Sequence, residues 1–460
     1  MPDLLAARSQ MAMSLAFHIV FAVIGIGMPA LMVVAERRWQ RTGEPAYLEL
    51  AKRWAKGTAI LFAVGAVSGT VLSFELGLLW PSFMAFAGPI IGMPFSLEGF
   101  AFFTEAIFLG IYLYGWDRVT PRAHLAAGVL VAVSGALSGV FVVIANAWMN
   151  QPVGFTLGPG GAAVDVDPLR AMTSPMALQQ TLHMTVAAYA ATGLAVAGVH
   201  ALILLRRRGA PPGMPDSFHR GALRVALLVG APAAILQPLT GDLSARAVAR
   251  YQPAKLAAME GQFRTERGAP LRVGGWPDER ARETRWALEI PHGLSILAFH
   301  ELNAEVKGLE AFPERDWPPV AIVHIAFQVM IGLGTVMALV SAWAALRAWR
   351  VRRAPADQLA DSPWLLRALV LAAPMGFVAI EAGWTVTEVG RQPWVVYGVL
   401  RTADAVTPMR GLVVPLVTFT LLYIFLGVVT GILLYRQIVR TVGPERREPY
   451  GGGDARVAPT

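Results

Sequence analysis

Seven side chains that could carry redox or proton chemistry lie inside otherwise apolar stretches of this sequence. The richest stretch is "EAGWTVTEVGRQPW" (381–394), which contains two glutamates and an arginine. A charged side chain in the middle of a bilayer costs about 3 kcal/mol on insertion scales, so its presence there indicates a functional site or a buried pair. The seven residues are His18, Glu98, Glu105, His183, Met330, Glu381 and Glu388.

The spacing of the glutamates places them on common helix faces. Glu98 and Glu105 are seven residues apart, which is about two helical turns, and Glu381 and Glu388 repeat that spacing. Two carboxylates in line across hydrocarbon suit a proton relay, or one ligand together with one relay group. Arg391 follows Glu388 by one turn, so it could neutralise either Glu388 or an acidic edge of a cofactor.

These residues also have structural interpretations. A lone histidine such as His18 more often satisfies a backbone carbonyl than binds a metal, and a lone Met330 is typical of ordinary packing. Glu98 and Glu105 could pair with residues of another helix. Glu75, within the small-residue segment "GAVSGTVLSFELG", is harder to explain by packing. Three histidines have no evident partner and are interpreted as structural: His200, His219 and His324.

The composition restricts the cofactors that these side chains could hold. The 460 residues are 55% hydrophobic and 15% charged, and the sequence has no cysteine. The missing thiols exclude thiolate-held iron–sulfur clusters and covalent c-type haem, whereas histidine and methionine are ligands of non-covalent haem b. Haem together with carboxylates in line indicates a redox enzyme acting on a lipid-soluble donor. The net charge of +8 does not indicate nucleic-acid binding, because juxtamembrane basic residues dominate it.

The elements that must position these residues are membrane-spanning helices. Apolar stretches long enough to cross about 30 Å of hydrocarbon recur nine times. The pattern therefore predicts an all-α polytopic membrane protein with about nine transmembrane helices. The predicted spans are 14–35, 58–79, 96–116, 124–146, 181–205, 221–239, 320–345, 364–388 and 411–435.

Basic residues in the short connections predict the orientation. The segments "ERRWQR" (36–41), "LLRRRG" (204–209) and "RAWRVRR" (347–353) follow the first, fifth and seventh spans. Because basic loops stay in the cytoplasm, the N-terminus is expected outside.

The spans divide the chain into four parts. Residues 1–239 contain the first six spans and 320–440 the last three, with a polar outer-face loop at 240–319 between them. A loop of this length is expected to contain short helices, one of them within 251–263, and to have a function. The tail at 441–460 is expected to be disordered in the cytoplasm.

Four motifs resemble one family of membrane oxidases. They are "GWDR" (115–118), "ANAWMNQP" (145–152), "PAKLAAMEGQF" (253–263) and, most specifically, "EAGWTVTEVGRQPW". On these residues the chain resembles subunit I of the cytochrome bd-type quinol oxidases, from about residue 5 to 440. The resemblance implies oxidation of membrane quinol at the outer face and reduction of dioxygen to water, with a proton motive force generated without pumping.

The resemblance also implies haem ligands. His183 and Met330 match the axial ligands of a low-spin haem b. His18 and Glu388 match the axial ligands of two high-spin haems, one a haem b and the other a haem d or a third haem b. Gln328 stands where some members have a basic residue, and "GDLSARAVARYQPAKLAAME" resembles the cyanide-insensitive branch, in which haem d is less certain.

The remaining roles implied by the family concern protons, quinol and partners. Glu98 and Glu105 resemble carboxylates near the dioxygen site, Lys255 and Glu260 resemble the outer-loop pair used in quinol oxidation, and Arg391 would serve the haem environment. The family implies a heterodimer with oxidase subunit II, a small single-helix subunit, and location in the bacterial cytoplasmic (inner) membrane. The short outer loop matches the short-loop forms.

Two other functions are compatible with the polar residues alone. A haem-free proton-coupled transporter would use the carboxylates as a relay, but the sequence lacks the internal repeats typical of such proteins. A haem b quinone-linked reductase would pass electrons onward and never to oxygen.

Overall fold

Long helices make up most of the described chain. The computed structural model describes residues 1–207, 216–351 and 358–439, so the tail predicted at 441–460 lies outside the described residues. Within these ranges nine helices are long and apolar enough to cross a membrane, as predicted, the eighth being α11 and α12 together. The helices are α1 (Asp3–Thr42), α2 (Pro45–Leu79), α3 (Pro81–Tyr114), α4 (Pro121–Asn150), α5 (Pro168–Met172), α6 (Ala177–Arg206), α7 (Asp216–Tyr251), α8 (Pro253–Glu260), α9 (Gly293–Phe299), α10 (Val320–Val351), α11 (Pro363–Ala372), α12 (Met375–Val389), α13 (Thr402–Ala405) and α14 (Val413–Val439).

Local sequence signals explain where several helices begin. Proline is the first residue of α2, α3, α4, α5, α8 and α11, a position where its missing N–H costs nothing. The Thr120 hydroxyl accepts a hydrogen bond from the Ala123 amide at 3.3 Å and caps α4. The Ser362 hydroxyl accepts from the Leu365 amide at 3.4 Å and caps α11 in the same way.

The spanning helices extend beyond their apolar stretches. The sixth span was predicted at 221–239, yet α7 continues to Tyr251 and includes the first residues assigned to the outer loop. Its last turns are polar, and Arg246 Nη2 pairs with Asp242 Oδ2 at 2.6 Å. A helix can continue into water when such pairs and solvent satisfy its polar face, so hydropathy alone underestimates its length.

The eighth span is broken rather than continuous. α11 ends at Ala372 and α12 begins at Met375, with Pro374 between them. Proline has no N–H for the helix ladder, which explains the interruption within the predicted span at 364–388. The break separates the α11 segment from the α12 segment that carries Glu381 and Glu388.

The outer loop combines short helices with a nested antiparallel ribbon. β3 pairs with β8, β4 with β7 and β5 with β6, so each pair encloses the next. The helix predicted within 251–263 is present as α8. Two further strand pairs lie outside this loop, β1 with β2 and β9 with β10. The strands are β1 (Thr156–Leu157), β2 (Ala163–Val164), β3 (Glu266–Arg267), β4 (Leu271–Val273), β5 (Trp276–Asp278), β6 (Glu283–Arg285), β7 (Leu288–Ile290), β8 (Glu305–Val306), β9 (Trp394–Val396) and β10 (Leu400–Arg401).

An apolar cluster fixes the outer loop to the helices. Ala257 and Met259 of α8 pack with Val323 of α10 and Val386 of α12, and all four are buried. Burial of such side chains contributes about 1.5–3 kcal/mol for each large one. The cluster therefore holds α8 against the ends of two spanning helices.

Candidate functional site

His18 lies between α1 and α2 with one ring nitrogen already engaged. Its Nδ1 is 2.9 Å from the Ser68 hydroxyl oxygen. That hydroxyl donates to the Val64 carbonyl at 2.9 Å, so it accepts a hydrogen bond from Nδ1–H. The Nε2 lone pair is therefore the one that this arrangement leaves for a ligand.

Glu75 belongs to a buried polar cluster next to His18. Glu75 Oε1 accepts hydrogen bonds from Gln10 Nε2 and from the Ser14 hydroxyl, both at 2.9 Å. Gln10, Ser14 and His18 are spaced by four residues and share one face of α1. Glu75 is thus part of the α1–α2 interface that presents His18.

Glu98 and Glu105 both face α4, as their spacing predicted. The Ser138 hydroxyl donates to Glu98 Oε1 at 3.0 Å. Glu105 is buried, and a Cβ at Gly135 would lie 3.0–3.2 Å from its carboxylate oxygens. A glycine at this position therefore lets α4 approach the Glu105 carboxylate closely.

His183 of α6 is held by residues of α7. Its Nδ1 is 3.1 Å from the Thr240 hydroxyl oxygen, and that hydroxyl donates to the Gln237 carbonyl at 3.0 Å. The hydroxyl therefore accepts from Nδ1–H, and Nε2 keeps the lone pair. The Gln237 side-chain amide lies against the same ring, with its nitrogen 3.2 Å from Nε2.

Met330 lies where α10 and α12 are close. A Cβ at Gly383 would be 3.0 Å from the Met330 sulfur, so the glycine permits this close approach. Met330 also borders the apolar cluster that carries α8. The structure thus places the methionine beside the apolar cluster that holds α8.

Glu388 and Arg391 form an ion pair at the end of α12. Arg391 Nη2 donates to Glu388 Oε2 at 2.5 Å, so in this structure it contacts the first of the two partners that the sequence left open. Asn146 Nδ2 of α4 donates to the other carboxylate oxygen, Glu388 Oε1. Arg391 is only 2% exposed, and its Nε and Nη1 have no partner among the described residues. The arginine therefore retains N–H groups for a further anion.

Lys255 joins the same region from the outer loop. Its Nζ donates to Asn150 Oδ1 at 2.6 Å and to the Thr387 carbonyl at 3.2 Å. Burial lowers the pKa of Lys255 well below its ordinary value; the nearby Arg391 acts in the same direction, and Glu388 opposes it. The structure thus brings Lys255, Glu388 and Arg391 together from two distant segments.

Glu260 is on the same helix as Lys255 but has different neighbours. It is 4% exposed, and its Oε2 has no hydrogen-bond partner among the described residues. Burial raises the pKa of Glu260 to about 8, and the positive charge of Arg272 opposes that rise. A carboxyl with a pKa near the working pH is suited to accept and release a proton.

The raised pKa of Glu260 predicts a pH-dependent stability. The folded protein holds this proton more tightly than the unfolded chain, whose glutamate has a pKa of 4.5, so stability falls as pH rises from 4.5 to 8. The thermal midpoint of the parent should fall between pH 5 and 9, and that of Glu260→Gln should fall less. We expect the two decreases to differ by about 5 °C. Thermal unfolding in detergent measures this, and parallel pH profiles would contradict it.

α10 anchors the outer loop through two polar side chains. His324 Nδ1 and Nε2 lie 2.8 and 3.1 Å from the carbonyls of Met259 and Gly274. One turn later, Gln328 donates to the Arg272 carbonyl at 2.9 Å and accepts from the Gly274 amide at 3.0 Å. His324 therefore has the structural role predicted for it, and Gln328 holds loop backbone.

Two other histidines pair with each other. His200 Nδ1 lies 2.9 Å from His219 Nδ1, and both rings are buried. This contact gives each the partner that the sequence did not reveal.

Sequence reasoning missed four polar residues that the structure places in buried networks. Asn146 and Asn150 lie in the motif "ANAWMNQP" but were given no role of their own. Two side-chain amides one turn apart in an apolar span indicate a buried hydrogen-bond network. Glu36 and His124 lie near the ends of predicted spans, where polar residues are common, so the sequence did not indicate that they are buried. His124 Nδ1 lies 2.9 Å from Glu36 Oε1, joining α1 to α4.

Together the fold and the site define a class. The chain is a polytopic helical membrane protein in which histidine, methionine and carboxylate side chains lie between helices, close to a structured outer loop. The chain matches the family described as cytochrome bd terminal oxidase subunit I over residues 6–442, and it therefore belongs to that family.

Named relatives agree with this membership. One Bacillus subtilis (strain 168) protein, provisionally named a cytochrome bd menaquinol oxidase subunit I, is 38% identical over 95% of this chain and 96% of its own length. A second, named cytochrome bd ubiquinol oxidase subunit 1, is 32% identical over 95% and 94%. The solved bd oxidase structure from Geobacillus thermodenitrificans is similar at a TM-score of 0.87, with 37% identity over 95% of this chain and 98% of that one.

The family implies haem cofactors, and the donor set of this chain fits them. His18 and His183 each direct Nδ1–H to a hydroxyl, so Nε2 carries the lone pair that a haem iron would take. At His183 the Gln237 amide nitrogen lies 3.2 Å from Nε2, and an iron bound there would replace that contact. Arg391 retains two buried N–H-bearing nitrogens that suit a propionate.

Proposed function

We propose that this chain is the haem-carrying subunit of a terminal respiratory oxidase, which oxidises membrane quinol at the outer face and reduces dioxygen to water. The observation that carries the proposal is the hydrogen-bonded connection from Lys255 of the outer-loop helix to Glu388 of α12. It joins the proposed donor site to a proposed ligand within one buried network. The family membership and the names of the relatives support the same activity.

The haem ligands are assigned residue by residue. His183 and Met330 hold the low-spin haem b, and His18 and Glu388 serve the two high-spin haems, one of b type and one of d type or a third haem b. When bound, these haems supply electron transfer and dioxygen reduction. The protein supplies the ligands, the Ser68 hydroxyl that accepts a hydrogen bond from His18 Nδ1–H, and Arg391 as the counter-ion of Glu388.

The quinol site lies on the outer loop at 240–319, around α8. Glu260 takes a proton from the quinol hydroxyl, and Lys255 supports the oxidation through its buried amine. Both lie on one short helix held against α10 and α12. This loop is the outer part of a chain whose helical parts, 1–239 and 320–440, hold the haems.

Sidedness accounts for energy conservation without a pump. With the N-terminus outside, quinol protons leave at the outer face while protons for water enter from the cytoplasm. Glu105 and Glu98 provide carboxylates on that inward path, aligned on α3 against α4. Charge separation then follows from where protons are released and taken up.

The complete enzyme requires partners. The proposed assembly is a heterodimer with oxidase subunit II, joined by a small single-helix subunit, in the bacterial cytoplasmic (inner) membrane. Quinol and dioxygen are its substrates, and no nucleic acid is involved.

The test uses the complex purified with its companion subunit. We expect quinol-dependent oxygen consumption, a low-spin b-type band in the reduced-minus-oxidised spectrum, and high-spin haem that binds carbon monoxide. Pyridine hemochrome analysis distinguishes haem d from a third haem b. A colourless complex would contradict the proposal and favour the haem-free transporter. Haem that does not bind carbon monoxide would contradict it and favour the quinone-linked reductase.

A further inference from the structure

We propose that Asn146 and Asn150 are positioning residues that couple the outer-loop helix α8 to the Glu388 carboxylate. The inference rests on the proposed function for its meaning, since it joins the proposed quinol site to a proposed haem ligand. It assigns a role to two residues that are 4 positions apart on α4 and belong to none of the ligand or proton groups above.

Asn150 is the centre of the connection. It is 0% exposed, and its Oδ1 accepts from Lys255 Nζ at 2.6 Å. Its Nδ2 donates to Asn146 Oδ1 and to the Asn146 carbonyl, both at 2.9 Å. Its own carbonyl accepts from Gln252 Nε2 at 2.9 Å. Gln252 and Lys255, at the start of α8, therefore both donate hydrogen bonds to Asn150, the last residue of α4.

The orientation of both side-chain amides in this hydrogen-bonded network follows from the groups at its two ends, Lys255 and Glu388. Lys255 Nζ donates to the Asn150 oxygen, and the Asn150 NH₂ faces Asn146, whose backbone carbonyl can only accept. The Asn146 oxygen then faces Asn150, and its NH₂ faces Glu388. An ionised Glu388 offers only acceptors, so the network has one self-consistent arrangement that runs from donor to acceptor.

This arrangement fixes the orientation of Glu388. One carboxylate oxygen accepts from Asn146 and the other accepts from Arg391. Removing Lys255 would leave the Asn150 oxygen buried without a donor, so Asn150 would shift from the position in which it holds Asn146. A displaced Asn150 would no longer hold the Asn146 oxygen, so a change at α8 reaches the amide that donates to Glu388.

Two substitutions of Asn150 separate the two halves of the connection. Asn150→Ala removes both the acceptor for Lys255 and the NH₂ that faces Asn146. Asn150→Asp retains an acceptor for Lys255 and removes the NH₂ that faces Asn146. Ser174→Ala is the matched control, because its hydroxyl binds the Gln151 carbonyl at 2.8 Å at the same end of α4 without joining the network.

The test measures two readouts on the purified complex in addition to quinol turnover. Hydrogen exchange of the backbone amides at 254–260 reports how firmly α8 is held, and the visible spectrum with its redox midpoints reports the surroundings of Glu388. We expect Asn150→Ala to speed exchange at least tenfold and to shift a high-spin band. Asn150→Asp should shift the same band with parental exchange, and Ser174→Ala should change neither.

A cycle with Lys255→Ala tests the coupling itself. If the residues act as one unit, Lys255→Ala also shifts the high-spin band, and the double variant exchanges no faster than Asn150→Ala alone. Additive effects, or parental exchange together with a parental spectrum in Asn150→Ala, would overturn the proposal. If Asn150→Ala fails to assemble, the Asn150→Asp spectrum decides alone. Hydrogen exchange is measured without quinol turnover. A complex that cannot oxidise quinol would therefore contradict the proposed function, while the exchange result would still test this inference.

Discussion

Replacing His183 by alanine is expected to remove the low-spin haem band and to reduce quinol-driven oxygen consumption to background. The ring is held between α6 and α7 with Nδ1 directed at Thr240, so Nε2 is the atom it offers to iron. Alanine provides no donor atom, and Met330 alone is a weak ligand. The reduced-minus-oxidised spectrum of the purified complex measures the loss, and an unchanged spectrum would disprove the ligand assignment.

Two further variants make this result specific. Thr240→Val keeps the ligand but removes the acceptor for Nδ1–H, and we expect haem affinity to fall about 10–100-fold. His200→Gln is the control, because His200 lies on the same helix and is buried against His219. Its spectrum should match that of the parent; a loss of haem there would indicate damage to α6 instead.

Lys255→Ala and Glu260→Gln are expected to reduce quinol turnover about 100-fold while haem content stays the same. Glu260 has a pKa raised to about 8, so it exchanges protons near neutral pH, and glutamine cannot. Since only ionised Glu260 accepts a proton, the parental rate should rise with pH up to about 8 and the Glu260→Gln rate should not. Steady-state quinol oxidation between pH 6 and 9 measures both effects.

Arg282→Gln serves as the control for the outer loop. Arg282 is exposed, and it pairs with Glu310 and Glu314 and lies over the Trp317 ring, none of which belongs to α8. Its removal should leave quinol turnover unchanged. Normal turnover in both Lys255→Ala and Glu260→Gln would show that α8 is not the donor site.

The Glu388–Arg391 pair explains how an apolar segment carries charge. The Arg391 side chain is 2% exposed and that of Glu388 is 29% exposed, so removing Glu388 would leave a buried guanidinium without compensation. We therefore interpret the motif "EAGWTVTEVGRQPW" as a unit in which Arg391 balances Glu388 and retains N–H groups for a second anion.

Sequence alone determined the features that depend on local composition and spacing. The apolar stretches predicted nine spanning helices because each must cover the hydrocarbon thickness. The spacing of Glu98 and Glu105 predicted a shared face, and the one-turn offset of Arg391 placed it within reach of Glu388, because helical geometry relates near neighbours. The motifs predicted the family, which the comparisons confirmed, and the ligand roles of His18, His183, Met330 and Glu388 remain predictions.

Tertiary structure alone decided which distant groups meet. Asn146 and Glu388 are 242 positions apart, and Asn150 and Lys255 are 105 apart, so no periodicity relates them. The break at Pro374 and the nested strands of the outer loop were also beyond hydropathy. Each of these depends on how helices pack and on which buried donors find acceptors, and that pairing is settled only when the whole chain is folded.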